Sequence, residues 1–177
     1  MTLKIRKIYS PSFDSKPRKK KNIRFLIFHY TGMKKEKEAI QRLVKIQSEV
    51  GAHYFIKQNG EIIRMVPDLY TAWHAGISHW GKYSFLNKYS IGIEVSNPGH
   101  QFGYINFSKK QIKNLIKLTR VLVKKYRIKK NHILGHSDIA PNRKKDPGEK
   151  FPWKTLYKNN IGLWHNLNNK TLISLRK

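Results

Sequence analysis

The chain contains no cysteine and no long apolar run. With no cysteine among its 177 residues, it forms neither disulfides nor thiolate metal sites, so any metal must use histidine and carboxylate ligands. No apolar stretch approaches the ~20 residues that a membrane-spanning helix needs. The basic N-terminus is not followed by the apolar segment of a signal peptide. This predicts cytoplasmic residence, unless another route exports the protein to the periplasm or the medium.

Acidic residues are also scarce. Lysine and arginine number 37 against 10 aspartates and glutamates, which gives a net charge of +27. Such a surface attracts polyanions, including nucleic acid, anionic membranes and acidic wall polymers. No nucleic-acid-reading motif is recognisable, so we expect no specific nucleic-acid partner and only salt-sensitive attraction. The alternative is compositional drift toward lysine, in which case the charge has no role in targeting.

The chain has the length of one domain, and the composition of its first residues differs from that of the rest. We interpret residues 1–21 as a basic arm, because Pro11, Pro17 and the like charges at residues 18–21 argue against regular structure. Residues 22–177 are assigned to a single folded domain.

Apolar segments of strand length recur along this domain. Residues 23–29, 89–95 and 132–136 are short apolar runs, which is consistent with buried strands. An Asn-Gly pair between two β-rich segments predicts a hairpin within residues 53–66.

Two segments have helical periodicity. Residues 35–47 carry apolar side chains at helical spacing, and Ser108 and Gln111 form a capping box in front of a second amphipathic stretch. Because strands and helices alternate, we expect a single α/β domain with a central mixed β-sheet flanked by helices. Functional sites in such sheets gather at the strand ends, so a cleft is expected there.

Two candidate metal ligands stand at predicted strand ends, and a third lies in the loop that follows one of them. His29 ends the apolar run at residues 23–29, and the loop at residues 135–148 holds His136 and Asp146. Two histidines and one aspartate provide three protein ligands for zinc and leave a fourth position for water, which is typical of a catalytic site. The alternative is a surface loop in which Asp138 and Asp146 cap turns.

Two further charged residues accompany these candidates. Glu94 lies in an apolar run; if its side chain is buried, its pKa rises toward the range that suits a general base near neutrality. An outward-facing position on an alternating strand is the alternative. Lys144 precedes Asp146 by two residues, and its ammonium group would stabilise an oxyanion near the metal. It is otherwise one more lysine in a lysine-rich loop.

An aromatic loop follows the predicted hairpin. Residues 73–78, which begin with Trp73 and His74, combine aromatic and small side chains that would line a sugar or peptide cleft. Burial of Trp73 in the core explains the same composition equally well.

Taken together, these segments resemble the zinc-dependent N-acetylmuramoyl-L-alanine amidases of the amidase-2 type, which are related to peptidoglycan recognition proteins. The resemblance runs from about residue 23 to residue 153. It rests on six blocks in the family's order, at residues 27–31, 48–54, 72–76, 90–94, 135–141 and 143–148.

The resemblance implies a function and a set of site residues. It implies Zn2+ bound by His29, His136 and Asp146, with Glu94 and Lys144 as the catalytic residues. The implied reaction is hydrolysis of the amide bond between N-acetylmuramic acid and L-alanine, in peptidoglycan or in (anhydro)muropeptides. We further predict substrate contacts from Trp73, His74, His53 and Asn97.

The main alternative is a catalytically weak peptidoglycan-binding module. Inactive relatives of this kind typically lack a metal ligand, whereas all three ligands are present here. For the active form we expect a peptidoglycan or muropeptide substrate, no membrane span and a monomer.

Overall fold

A six-stranded mixed sheet forms the centre of the fold. The computed structural model describes residues 3–165 and residue 167, so the last part of the predicted domain, residues 168–177, lies outside the described residues. Within them, the strands are β1 (Ile5–Lys7), β2 (Phe25–Tyr30), β3 (Tyr54–Ile56), β4 (Ile62–Arg64), β5 (His79–Trp80), β6 (Tyr83–Ser84), β7 (Ser90–Val95) and β8 (Ile133–Gly135). The large sheet has the order β1-β4-β3-β7-β2-β8, and β5 and β6 form a separate pair.

The helices lie on both faces of this sheet. They are α1 (Glu36–Val44), α2 (Lys109–Tyr126), α3 (His136–Ile139) and α4 (Trp153–Lys158). On one face, Leu115 and Leu118 of α2 pack in a cluster with Ile93 of β7. On the other face, Leu43 of α1 packs with Phe55 of β3. The predicted α/β architecture is confirmed. None of the described helices is both long and apolar enough to cross a membrane.

Local sequence signals account for several of these elements. The strands β3 and β4 pair in antiparallel fashion, as the Asn-Gly pair predicts. At the start of α2, the hydroxyl of Ser108 accepts a bond from the backbone N–H of Gln111 at 3.1 Å. The side-chain oxygen of Gln111 accepts one from the backbone N–H of Ser108 at 2.9 Å, so the capping box is confirmed.

The N-terminal segment is more ordered than its composition predicts. The strand β1 pairs in parallel with β4 at the edge of the sheet. Further along, the half-buried Arg18 donates hydrogen bonds to the carbonyl oxygens of Asn87, at 2.8 Å, and Asp68, at 2.9 Å. The prediction that residues 1–21 lack regular structure is therefore wrong for β1. The physical reason is that β4 would otherwise expose an unpaired strand edge, which a short strand from the N-terminus covers.

Parallel pairing brings the predicted site residues to one edge of the sheet. The strands β2 and β7 are parallel and place His29 directly opposite Glu94, so both side chains point to the same face. The strands β2 and β8 are also parallel and place Phe28 opposite Gly135, the residue before His136. Because the carboxyl ends of the three strands meet, residues far apart in sequence converge here.

Candidate metal centre and active-site cavity

Three buried side chains bring their ligand atoms together at this edge. The Nδ1 atoms of His29 and His136 are 3.0 Å apart. The Oδ2 atom of Asp146 lies 3.0 Å from the first and 3.1 Å from the second. These residues are the predicted metal ligands, and the structure places all three in a single cluster that could hold a metal ion.

The chemistry of this cluster fits a cation. The Nε2 atom of His136 lies 3.1 Å from the carbonyl oxygen of Ala75, which can only accept a hydrogen bond, so Nε2 is assigned the proton. In a neutral ring the lone pair is then on Nδ1, and it faces the carboxylate oxygen of Asp146. Two acceptors that face each other at this distance repel, unless a cation between them takes both lone pairs. Burial also lowers the pKa of His29 to about 4, so its ring is neutral near pH 7.

The loop at residues 135–148 contains two aspartates with different roles. The carboxylate of Asp138 accepts a hydrogen bond from the backbone N–H of Gly135 at 2.7 Å and so caps the short helix α3. Asp146 instead lies in the cluster, and its carbonyl oxygen accepts a bond from the N–H of Ser137 at 2.8 Å. Turn capping, the alternative interpretation of this loop, therefore describes Asp138 but not Asp146.

The ligand cluster lies in the wall of an open cavity of about 630 Å³. Other predicted site residues that line this cavity are Trp73, His74, Glu94 and Lys144. The structure thus brings the ligands and both predicted catalytic residues to the same cavity.

Glu94 lies in this wall without a polar partner for one oxygen. Its Oε2 atom is enclosed and has no hydrogen-bond partner among the described residues. Burial raises the pKa of this carboxyl group well above its ordinary value, and the negative charge of Asp146 raises it further. The charge of Lys144 acts in the opposite direction. A carboxyl group with a raised pKa holds a proton more readily than an ordinary glutamate, which suits a general base or acid.

The fold of the loop at residues 135–148 holds Lys144 near the ligand cluster and near Glu94. Its backbone N–H donates to the carbonyl oxygen of Ala140 at 3.0 Å, which tightens the turn after α3. The side chain lines the cavity and lies close enough to lower the pKa of His29 and of Glu94. A positive charge is therefore present beside the ligand cluster.

Two predicted substrate contacts are not brought to the cavity. His53 is fully buried: its Nδ1 accepts from the N–H of Gly92 at 3.0 Å, and its Nε2 lies 2.9 Å from the carbonyl oxygen of Tyr70. Asn97 is also buried and donates to the carbonyl oxygen of Ile105 at 2.8 Å. Both side chains shape backbone segments, so the prediction that they contact substrate is not supported.

Several cavity residues were not among the predicted site residues. Tyr30, Arg42, His100 and Arg143 line the cavity as well. The hydroxyl of Tyr30 bonds Nδ1 of His100 at 2.9 Å, and Nε2 of His100 bonds the carboxylate of Glu149 at 2.9 Å. Tyr30 directly follows His29, so its position next to a predicted metal ligand could have identified it as a cavity residue. Arg42 lies on α1, and nothing in its local sequence points to the site.

Comparison with known proteins agrees with this geometry. The family model Amidase_2, described as N-acetylmuramoyl-L-alanine amidase, matches residues 19–149. The chain is 38% identical over 154 residues to N-acetylmuramoyl-L-alanine amidase AmiD of Escherichia coli, a match that covers 80% of this chain and 55% of AmiD. It is 35% identical over 167 residues to 1,6-anhydro-N-acetylmuramyl-L-alanine amidase AmpD of Haemophilus influenzae, covering 84% of this chain and 88% of AmpD. The chain thus spans about half of AmiD but most of AmpD.

Solved structures are similar over most of this chain. The complex of Escherichia coli AmiD with anhydro-N-acetylmuramic acid-L-Ala-D-gamma-Glu-L-Lys has a TM-score of 0.74 at 36% identity, and covers 85% of this chain and 62% of AmiD. AmpDh3 of Pseudomonas aeruginosa has a TM-score of 0.77 at 32% identity, and covers 93% of this chain and 69% of AmpDh3. From the family match and from the identity to AmpD over most of both chains, it follows that the chain belongs to the Amidase_2 family of N-acetylmuramoyl-L-alanine amidases.

Proposed function

We propose that the chain hydrolyses the amide bond between N-acetylmuramic acid and L-alanine in peptidoglycan or in muropeptides. The observation that carries this proposal is the convergence of three ligand atoms, within 3.1 Å of one another, beside the enclosed carboxyl group of Glu94. Similar proteins have been solved with anhydro-muropeptides bound, which supports the same substrate class.

We propose Zn2+ as the metal. Two imidazole nitrogens and one carboxylate oxygen suit zinc, and three protein ligands are typical of its catalytic sites. Zinc in such a site acts as a Lewis acid, which polarises the scissile carbonyl and lowers the pKa of a water molecule toward ~7.

Glu94 is the proposed general base and acid. Its raised pKa allows the carboxylate to take a proton from the attacking water and to return it, as a carboxylic acid, to the leaving amine of L-alanine. The side chain lies on the same sheet face as His29 and lines the same cavity, which supports this role.

Lys144 is the proposed oxyanion stabiliser. Attack on the amide carbonyl gives a tetrahedral oxygen anion, and a fixed ammonium group nearby lowers the energy of that charge. The binding-module alternative requires neither this lysine nor an enclosed carboxyl group beside the ligands, so the present arrangement favours catalysis.

The proposal is tested by product analysis. The purified, zinc-loaded protein is incubated separately with intact sacculi and with an anhydro-muropeptide, and the products are identified by mass spectrometry. We expect free peptides that begin with L-alanine from at least one substrate, and none after the zinc has been removed by a chelator. A zinc-loaded protein that binds either substrate without releasing such peptides is a binding module, and the proposal is then wrong.

A further inference from the structure

The loop between β4 and β5 passes behind the two histidine ligands. The Nδ1 atom of His74 lies 3.0 Å from Nε2 of His29. The carbonyl oxygen of Ala75, the next residue, lies 3.1 Å from Nε2 of His136. Both contacts involve the ring nitrogens that face away from the ligand cluster. Contact with substrate, which the sequence predicts for this loop, does not account for them.

The protonation of His74 is determined by Ser90. The hydroxyl of Ser90 lies 2.6 Å from the carbonyl oxygen of Leu86, which can only accept, so the single hydroxyl proton points there. The same oxygen lies 3.1 Å from Nε2 of His74 and must therefore accept a hydrogen bond from it. The two ring nitrogens of His74 contact only Ser90 and His29 among the described residues, so no carboxylate stabilises a second proton and the ring is neutral. Its proton is then on Nε2 and its lone pair on Nδ1.

The protonation of His29 follows from that of His74. The lone pair on Nδ1 of His74 faces Nε2 of His29, which must donate to it and so carries a proton. With Nε2 protonated, only Nδ1 of His29 can offer a lone pair to a metal. The lone pair of His29 is then on Nδ1, the atom that lies in the ligand cluster. Both histidine ligands therefore carry their proton on Nε2, and in both the hydrogen-bond partner of that nitrogen belongs to the same loop.

Three side-chain or backbone features hold this loop in place. The side-chain oxygen of Asn87 accepts hydrogen bonds from the N–H groups of His74, at 3.1 Å, and Ala75, at 2.7 Å. The guanidinium group of Arg143 donates to the carbonyl oxygen of Ala75. The ring of His74 lies against the backbone of Gly92, where a methyl group would overlap the ring atoms. A side chain at residue 92 would push His74 away from His29.

We infer that Ser90, His74 and Ala75 are positioning residues, which fix the ring tautomers of His29 and His136 so that Nδ1 of each ring faces the metal. This inference rests on the proposed metal site. An imidazole with its proton on Nδ1 has no lone pair there and cannot bind a metal through that atom. Loss of such a supporting partner typically weakens metal affinity by about 10–100-fold.

The tautomers are measured first, without metal or substrate. Long-range ¹H–¹⁵N NMR of the metal-free protein distinguishes protonated from unprotonated ring nitrogens. We expect Nε2 of His29 and Nε2 of His136 to carry a proton in the wild type. In Ser90→Ala, we expect His74, and with it His29, to show a mixture of both tautomers. A wild-type His29 without a proton on Nε2 overturns the inference.

Zinc affinity is measured next, by competition with a chelator. Ser90→Ala is expected to weaken zinc binding by about 10-fold or more. Its matched control is Ser96→Ala, which removes a buried serine hydroxyl from the residue that directly follows β7. The melting temperatures of both metal-free variants show whether the change is confined to the metal site. Equal zinc affinity in the two serine variants overturns the inference.

A second pair of variants keeps the test independent of Ser90. His74→Asn retains an oxygen acceptor near the position of Nδ1, whereas His74→Leu removes it. We expect His74→Leu to weaken zinc binding by about 10–100-fold and His74→Asn to restore much of the loss. Equal affinities for the two variants contradict the inference. Normal zinc binding with no turnover, by contrast, contradicts the proposed function and leaves the tautomer assignment in place.

Discussion

Glu94 and Asp146 are two carboxylates of one cavity with opposite surroundings. Asp146 lies against two imidazole nitrogens, whereas one oxygen of Glu94 is enclosed without a polar partner among the described residues. Burial raises the pKa of Glu94, and the neighbouring Asp146 raises it further. Carboxylates whose environments differ in this way take different roles, which here are the proposed roles of metal ligand and of proton carrier.

Replacing Glu94 separates these two roles. Glu94→Gln keeps the shape of the side chain but cannot carry the proton, so we expect hydrolysis to fall by about 10²-fold or more with zinc content unchanged. Turnover of an anhydro-muropeptide and elemental analysis of the protein provide the two measurements. A rate close to that of the wild type would show that another group moves the proton.

Lys144 is tested by removal of its charge. We expect Lys144→Ala to lower kcat by about 10²–10³-fold, the range for loss of one oxyanion-stabilising group, with the zinc retained. Lys154→Ala is the control, because that lysine is exposed on α4 and does not line the cavity. If both variants lose activity to the same small extent, Lys144 contributes only to the general positive field.

Between the sheet and α2, a buried aspartate joins two elements that are distant in sequence. Asp68, in the loop after β4, accepts hydrogen bonds from the hydroxyls of Tyr54 on β3 and Tyr126 on α2, both at 2.6 Å. Lys125 of α2 adds an ion pair at 2.8 Å. Burial by itself raises the pKa of Asp68, but the hydrogen bonds from Lys125, Tyr126 and Tyr54 outweigh burial, and the pKa is lowered.

This pKa shift predicts how stability depends on pH. A lowered pKa means that the ionised carboxylate stabilises the fold above its ordinary value of 3.8, and that this stabilisation is lost as the pH falls through the lowered pKa. We expect Asp68→Asn to reduce the free energy of unfolding by about 2–4 kcal/mol at pH 7, and by less at pH 3. Urea unfolding at the two pH values measures the difference.

An exposed acidic residue gives the matched comparison. Glu38→Gln breaks an exposed ion pair between Glu38 of α1 and Lys35, the residue before that helix, and should change stability by less than about 0.5 kcal/mol at either pH. A constant deficit of Asp68→Asn across the pH range would mean that packing, not charge, holds these elements together.

The molecule as a whole carries a net charge of +27, and basic side chains also cluster at the end of the sheet away from the cavity. A groove there is lined by five basic side chains, with no acidic residue among its described lining: Lys21, Arg24, Lys82, Arg127 and Lys129. It lies beside the residues that precede β2 and β8, opposite the ends that hold the ligand cluster.

Three expectations for the whole molecule stay predictions: that it is a monomer, that it is located in the cytoplasm, and that it has no specific nucleic-acid partner.

Salt dependence tests whether this charge serves substrate targeting. Attraction between exposed charges is screened beyond ~8 Å at physiological salt. We expect hydrolysis of intact sacculi to fall as salt rises from about 50 to 300 mM, and hydrolysis of a small anhydro-muropeptide to fall much less, at constant zinc content. Identical salt profiles would identify the charge as compositional drift.

The basic segment at residues 18–21 is expected to contribute to this attraction. Because Arg18 bonds the carbonyl oxygens of Asn87 and Asp68, deleting the segment would also disturb the fold. Replacing Lys19, Lys20 and Lys21 together by glutamine removes charge without that loss, since none of them makes a side-chain hydrogen bond or ion pair within the described residues. The triple variant should slow hydrolysis of sacculi and leave the small-substrate rate intact.

Much of the fold could be predicted because it depends on neighbours in the chain. The Asn-Gly hairpin, the capping box at Ser108 and the apolar runs of β2 and β7 are signals within a few residues of one another. The three candidate ligands could be named as well: His29 and His136 stand at predicted strand ends, Asp146 lies in the loop that follows, and the family resemblance assigned the same residues.

Other features depended on contacts between distant residues. Three features have no local signal in the sequence, because each is decided by which segments meet in the folded chain. They are the edge pairing of β1, the burial of His53 and Asn97, and the position of Arg42 in the cavity wall. The ligands His29 and His136 are 107 positions apart, and their tautomers depend on a third segment that lies behind both. The identity of a ligand is a property of its side chain, but which of its nitrogens is free to bind is set by the hydrogen-bond partner that the folded chain places behind it.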